Sequence, residues 1–359
     1  MRPSTLAGDR PAVVCEAALP RPRGPLSAFV VGHLREAPHP VGDPPPVADD
    51  WTSDDLHLAL YACYELHYRG FAGVDERWEW HPGLLAFRAR LEEVFEAGLR
   101  AVVGVPAVNG TVEEQLWAIA RGPGPGPDRP VGPSLSAHIA EAGTLEQARE
   151  VAVHRSAYQL KEADPHTWAI PRLTGGPKAA MVEIQADEYG GGVESRMHCS
   201  LFAVTMQQLG LDSRYGAYLD WLPGPTLATV NLVSFLGLHR RLRAALVGHL
   251  AMFEMTSVLP MSRYAKGLAR LGVAPRGLRF YEVHVEADAH HQTIAARDMA
   301  GRLAEDDPAL APGILFGARA VTEVERLFST GVLAEWAAGR SSLRQPLPPF
   351  DGRHTEAGD

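Results

Sequence analysis

Between Phe280 and His291 the chain carries His284, Asp288 and His291, spaced i, i+4 and i+7. At 100° per residue a helix brings these three side chains within about 60° of one another on one face. Two imidazoles and a carboxylate on one stripe supply half of a metal site. Nitrogen and carboxylate donors without thiolate suit iron, manganese or zinc, and two histidines with a carboxylate are the donor set of many O2-activating ferrous centres. A solvated polar helix face is the competing reading, because a single H-x3-D-x2-H is only moderately specific.

A metal buried against one helix needs donors from others, and three further segments hold acids and histidines in apolar surroundings. Glu162 lies near a helix end before Pro165. Glu188, Glu194 and His198 fall within one stretch that also contains Gly190, Gly191 and Gly192. Glu254 is flanked by Leu250, Ala251, Met252, Phe253 and Met255. A lone carboxylate buried there is costly unless it meets a cation, and the alternative is an exposed acid on an amphipathic helix. Glu188 and His198, ten residues apart, stand roughly 80° from each other on an ideal helix. Pairing them at one metal therefore requires local overwinding, which the three glycines could permit. Glu194, at i, i+4 from His198, is the rival. His154, His166, His239, His249 and His290 are read as packing, capping or solvent-facing, and Asp164, Asp187 and Glu194 as surface or capping acids that could also attract a cationic substrate.

Positioning these groups falls to helices. Residues 1–50 are proline-dense and predict an extended or poorly ordered arm. From about 51 to 121 the apolar spacing is helical, with Thr52, Ser53 and Thr111 as N-cap candidates and Trp78, Trp80, Tyr64 and Tyr68 read as core. Gly-Pro alternation over 122–133 reads as a linker. A larger helical region follows over 134–340, with helices expected at 134–141, 144–163, 177–209, 212–221, 225–236, 238–257, 260–271, 276–303 and 307–338, and a polar, proline-rich tail at 341–359. Strand signals are almost absent, so the fold class is all-α.

Composition narrows the partners. The 359 residues are 46% hydrophobic and 21% charged, values of an ordinary globular chain. No run of 18 uncharged apolar residues occurs, which argues against a membrane span, and the first twenty residues do not read as a secretory signal. Cys15, Cys63 and Cys199 are odd in number and far apart, as expected of a reducing, cytoplasmic setting rather than a disulfide framework. A net charge of −9 without a basic block makes nucleic acid a poor partner. The triple glycine is no phosphate loop, lacking the following Lys and Ser/Thr.

Four segments, in order, carry a family resemblance: Lys161-Glu-Ala-Asp-Pro-His166; Ile184-Gln-Ala-Asp-Glu-Tyr-Gly-Gly-Gly192 with Met197-His198; Phe253-Glu-Met-Thr-Ser257; and Tyr281-x2-His284-x3-Asp288-x2-His291. From about Arg155 to Trp336 the chain resembles the haem-oxygenase-like diiron oxidases, also described as iron-containing redox enzymes, and within them the N-oxygenase branch. The resemblance implies a seven-helix haem-oxygenase-like bundle binding two irons rather than haem. It implies as ligands Glu188 and His198 from one core helix, Glu254 from a second and His284, Asp288 and His291 from a third, with Glu162 as an additional carboxylate of the amine-oxygenating branch. It further implies O2 as co-substrate, an external electron donor, a small-molecule substrate and a homodimer. The expected reaction is N-oxygenation of an amine-type nitrogen in a biosynthetic pathway. Oxidative C–C cleavage, decarboxylation or desaturation of an amino or fatty acid is the enzymatic alternative, and a metal-binding helical partner protein the non-enzymatic one. A zinc hydrolase fits less well, since catalytic zinc needs only three protein ligands and this chain offers six or seven donors.

Overall fold

In the computed structural model, which describes residues 17–122 and 134–350, every regular element is helical. Cys15, the Gly-Pro run after Gly122 and the segment beyond Phe350 lie outside the described residues. Helices α1 (Pro25–Leu34), α2 (Asp54–Glu65), α3 (Pro82–Val103) and α4 (Val112–Arg121) come first. Then follow α5 (Leu135–Glu141), α6 (Leu145–Gln159), α7 (Gly175–Glu188), α8 (His198–Gln208), α9 (Gly224–Leu238), α10 (Arg243–Thr256), α11 (Val258–Arg270), α12 (Arg279–Thr293) and α13 (Ala311–Ala337). Among the described residues no single helix is long and apolar enough to cross a membrane.

The expected extended arm is instead partly helical. No proline interrupts the chain between Pro25 and Pro38, and Pro25 sits in the first turn of α1, where its missing N–H costs nothing. The Asp55 carboxylate accepts from the backbone N–H groups of Leu26 and Ser27 at 2.8 Å each, capping α1 from a neighbouring helix. Val30, Val31 and Leu34 are fully buried. Trp78 is also buried, donating its indole N–H to the Glu36 carbonyl at 2.9 Å, whereas Trp80 is exposed, contrary to its reading as core. The segment from Ser341, read as a polar, proline-rich tail, begins packed: Ser342 and Leu343 are buried.

One apolar core runs from Ala17 to Leu343 and takes in both the N-terminal helices and the later bundle. At its centre α10 and α13 pack with their backbones in contact. A Cβ on Gly248 would come 1.9 Å from the Ile314 carbonyl oxygen, and one on Gly317 would come 1.9 Å from that of Ala245. Helix α2 packs on α9, where the Asn231 side-chain amide donates to the His57 carbonyl at 2.8 Å.

Three expected helices are altered. The stretch 177–209 is two helices, α7 and α8, separated by 3-10 turns at Gly190–Gly192 and Glu194–Arg196. The three glycines have φ of 63°, 61° and 80°, and a Cβ on Gly190 would lie 2.5 Å from the Arg196 carbonyl carbon, so the chain doubles back on itself there. Residues 212–221 are mostly turns, with only Leu219–Trp221 in a 3-10 helix. Helix α12 passes into a π-helical stretch, Ile294–Gly301, before a last α-turn at Arg302–Asp306.

Candidate metal centre

Helix α12 places His284, Asp288 and His291 on one buried face, as their spacing requires. Helix α10 supplies Glu254 from a segment buried almost throughout. Glu188 is the last residue of α7 and His198 the first of α8, so the turns between them bring the two together without any overwinding of a helix. Glu194 is exposed on those turns and is not the partner of His198. Glu162 follows the end of α6 in an irregular turn.

All seven side chains converge. Glu162, Glu188, His198 and His284 form one group whose ligand atoms lie within 4.8 Å of one another, and Glu188, Glu254, Asp288 and His291 form a second. Glu188 belongs to both. The Glu188 carboxylate and His198 Nδ1 are 2.9 Å apart, Glu254 Oε2 and His291 Nδ1 3.3 Å, Asp288 Oδ1 and His291 Nδ1 3.7 Å, and Glu162 Oε1 and His284 Nε2 3.7 Å. These approaches do not satisfy the groups. Glu162 Oε2, Glu188 Oε2, His198 Nδ1, Glu254 Oε2, Asp288 Oδ1 and His291 Nδ1 are buried without a hydrogen-bond partner. Unpaired buried polar atoms are costly, and six of them gathered in these two groups are compatible with a metal site.

Three of the outward-facing atoms of these residues are bonded. His284 Nδ1–H donates to the Phe280 carbonyl at 2.7 Å, which leaves its Nε2 facing Glu162. His291 Nε2–H donates to the Asp187 carboxylate at 3.0 Å, leaving Nδ1 facing Glu254 and Asp288. The Ser257 hydroxyl donates to Asp288 Oδ2 at 2.5 Å, so Oδ1 is the oxygen that points inward. Outer partners of this kind fix the tautomer and rotamer of metal-binding side chains. Asp187 and Ser257 were not distinguishable as such from the sequence. Asp187 reads as a surface acid, and its only signal is that it directly precedes Glu188.

The electrostatics favour positive charge at the cluster. Burial alone lowers an imidazole pKa, yet the carboxylates around His284 raise it to about 10, with Glu162 the main contributor. Burial is likewise outweighed at His291, where Asp288, Glu254 and Asp187 raise the pKa to about 11. Glu254 is pushed up to about 8 by burial and by neighbouring Asp288 and Glu188. Burial also raises Glu162. Glu188 is the exception: His198 and the other imidazoles overcome its burial and lower it to about 2.

The remaining histidines serve the fold. His154 bonds the hydroxyls of Thr226 and Ser342, His166 and His249 bond each other at 3.0 Å, His239 lies 3.0 Å from Glu92, and His290 is exposed.

Residues 149–326 match the family model of iron-containing redox enzymes, a span that includes all seven converging residues. The chain is also 27% identical over 147 residues to the nitrosourea synthase of Streptomyces achromogenes subsp. streptozoticus. That match covers 41% of this chain and 31% of the length of the Streptomyces protein.

Proposed function

We propose, on the premise that residues 149–326 belong to the iron-containing redox enzyme family with its haem-oxygenase-like all-α fold, that this oxidoreductase binds two irons and uses O2 to oxygenate an amine-type nitrogen of a small metabolite. The observation that carries the reading is the pair of four-residue groups joined through Glu188, with six of their buried ligand atoms unpartnered.

Charge supports two divalent ions. Glu162, Glu188, Glu254 and Asp288 supply four negative charges, which two Fe(II) ions would neutralise, while three neutral imidazoles complete the set. Glu162, His198 and His284 would hold one ion and Glu254, Asp288 and His291 the other, with Glu188, which belongs to both groups, available to either. When bound, the ions supply the electrons that reduce O2, and an external reductant restores them. The protein's own residues do the rest.

Phe280 presses its ring against His284, with 4.4 Å between ring centroids, and Phe202 backs Phe280 at 5.0 Å, so water is excluded on that side. Phe280 is also the residue whose carbonyl fixes the His284 tautomer. Tyr189, Cys199 and Asp164 next to the centre are only partly buried. Asp164 lies two residues from Glu162, accepts from the Tyr189 hydroxyl at 2.9 Å and keeps only a long 3.7 Å ion pair to Arg69. A half-exposed carboxylate at that place suits a cationic amine better than an aliphatic acid. The activity of the Streptomyces relative, synthesis of a nitrosourea, agrees with nitrogen as the oxidised atom.

Anaerobic titration with Fe(II) should reach two ions per chain, and O2 consumption by the reduced protein should be accelerated by an amine or guanidine. Acceleration by fatty or other aliphatic acids alone would move the reading to C–C cleavage or desaturation. Absence of iron uptake would end it.

A further inference from the structure

Three of the four carboxylates of the centre ride on regular helices, but Glu162 does not. It sits in the turn after α6, two residues before Asp164, where its own N–H reaches the Gln159 carbonyl at a long 3.4 Å. Its neighbour Lys161 points the other way, into the N-terminal helices. Lys161 is essentially inaccessible, and its ammonium lies 2.9 Å from the Glu65 carboxylate at the end of α2, which is inaccessible too. Each charge of the pair meets the other directly. Glu65 Oε2 also accepts from the Tyr215 hydroxyl at 2.6 Å, and the Tyr61 and Tyr215 hydroxyls bond each other at 2.9 Å. The ammonium also stands 4.2 Å from the ring centroid of Tyr68 and 5.3 Å from that of Tyr61.

A buried ion pair is weak evidence for stability, because desolvating both charges offsets their attraction. It does, however, define direction closely, since neither partner can move without stranding a buried charge. We infer that the Glu65–Lys161 pair is a positioning device for Glu162: by clamping one residue of the turn to α2, it aims the next at His284. This inference rests on the reading of the centre as a metal site. Glu65 lies outside the 149–326 family match, so the N-terminal helices complete half of the centre although they supply none of its ligand atoms.

The consequence is asymmetric. Loosening the anchor should weaken the ion held by Glu162, His198 and His284 and leave the one held by Glu254, Asp288 and His291 nearly as before. The two halves can be assayed separately with Co(II) on the full chain, using H291A to retain the first half and H284A to retain the second. Replacing both anchors by apolar residues, Glu65→Leu with Lys161→Met, strands no charge. Combined with H291A, it should weaken Co(II) binding at least tenfold, and combined with H284A by less than twofold. Lys161→Arg, which keeps a cation paired with Glu65, should retain most of the affinity in the H291A background. Equal weakening of both halves, or none in either, overturns the inference. If the double substitution does not fold, Tyr215→Phe, which removes one bond to Glu65, is measured the same way: a loss confined to the first half supports the anchor, and any other pattern overturns it. Failure of the parent protein to bind Co(II) at all would instead refute the metal-site reading itself.

Discussion

Asp187 shows how much a single exposed side chain can govern from outside the centre. Its carboxylate accepts a hydrogen bond from His291 Nε2–H and so turns Nδ1 inward. Asp187→Asn should weaken metal binding about 10- to 100-fold at that half of the centre, measured by Co(II) or anaerobic Fe(II) titration. Glu194→Ala, on the exposed turn, should leave it unchanged. Protons compete for the same nitrogens. Folded His284 and His291 hold theirs up to about pH 10 and 11, whereas an unfolded imidazole releases its proton near 6.5. A raised pKa of this kind stabilises the metal-free fold fully below about pH 6.5, and that contribution is lost as the pH rises through 10 to 11. Metal uptake must displace those protons, so the rise in melting temperature on adding Fe(II) or Co(II) should be larger at pH 8 than at pH 6. A pH-independent rise would show that these imidazoles are not the ligands.

At the scale of elements, the break between α7 and α8 decides whether Glu188 can serve both halves. Gly190→Ala combines a positive φ with a Cβ 2.5 Å from the Arg196 carbonyl carbon. It should cost about 2 kcal/mol or more and lower metal affinity in both halves, read by chemical denaturation and Co(II) titration. The sequence made the helical periodicity and the α12 stripe legible because both are local. It also made Glu254 legible, since an acid among Leu250, Met252 and Phe253 conflicts with its surroundings. The turn that joins Glu188 to His198 was not legible as such. Three consecutive glycines signal freedom but not direction, and continuous helical periodicity across 177–209 favoured one long helix. Helix α1 was missed for a related reason: its cap, Asp55, comes from another helix, and proline density outweighed the apolar spacing of Val30, Val31 and Leu34.

For the molecule as a whole, the segment around Ser341 and Ser342 closes over α6. Glu150 on α6 accepts from the Trp336 indole at 2.7 Å, the Ser341 hydroxyl at 2.6 Å and the Ser342 N–H at 2.9 Å. Truncation after Arg340 would strip that buried carboxylate of most of its donors. It should cost about 2–4 kcal/mol, seen as a fall of several degrees in melting temperature, and an unchanged melt would show that the segment contributes nothing. The cluster of acids and imidazoles bears on how the protein matures. If the cluster holds metal as proposed, the protons that its carboxylates keep on His284 and His291 would stand in for the ions in the empty protein, and the bundle would assemble around them. Folding then comes first and loading second: chelator-stripped protein should remain a folded, reloadable precursor rather than collapse.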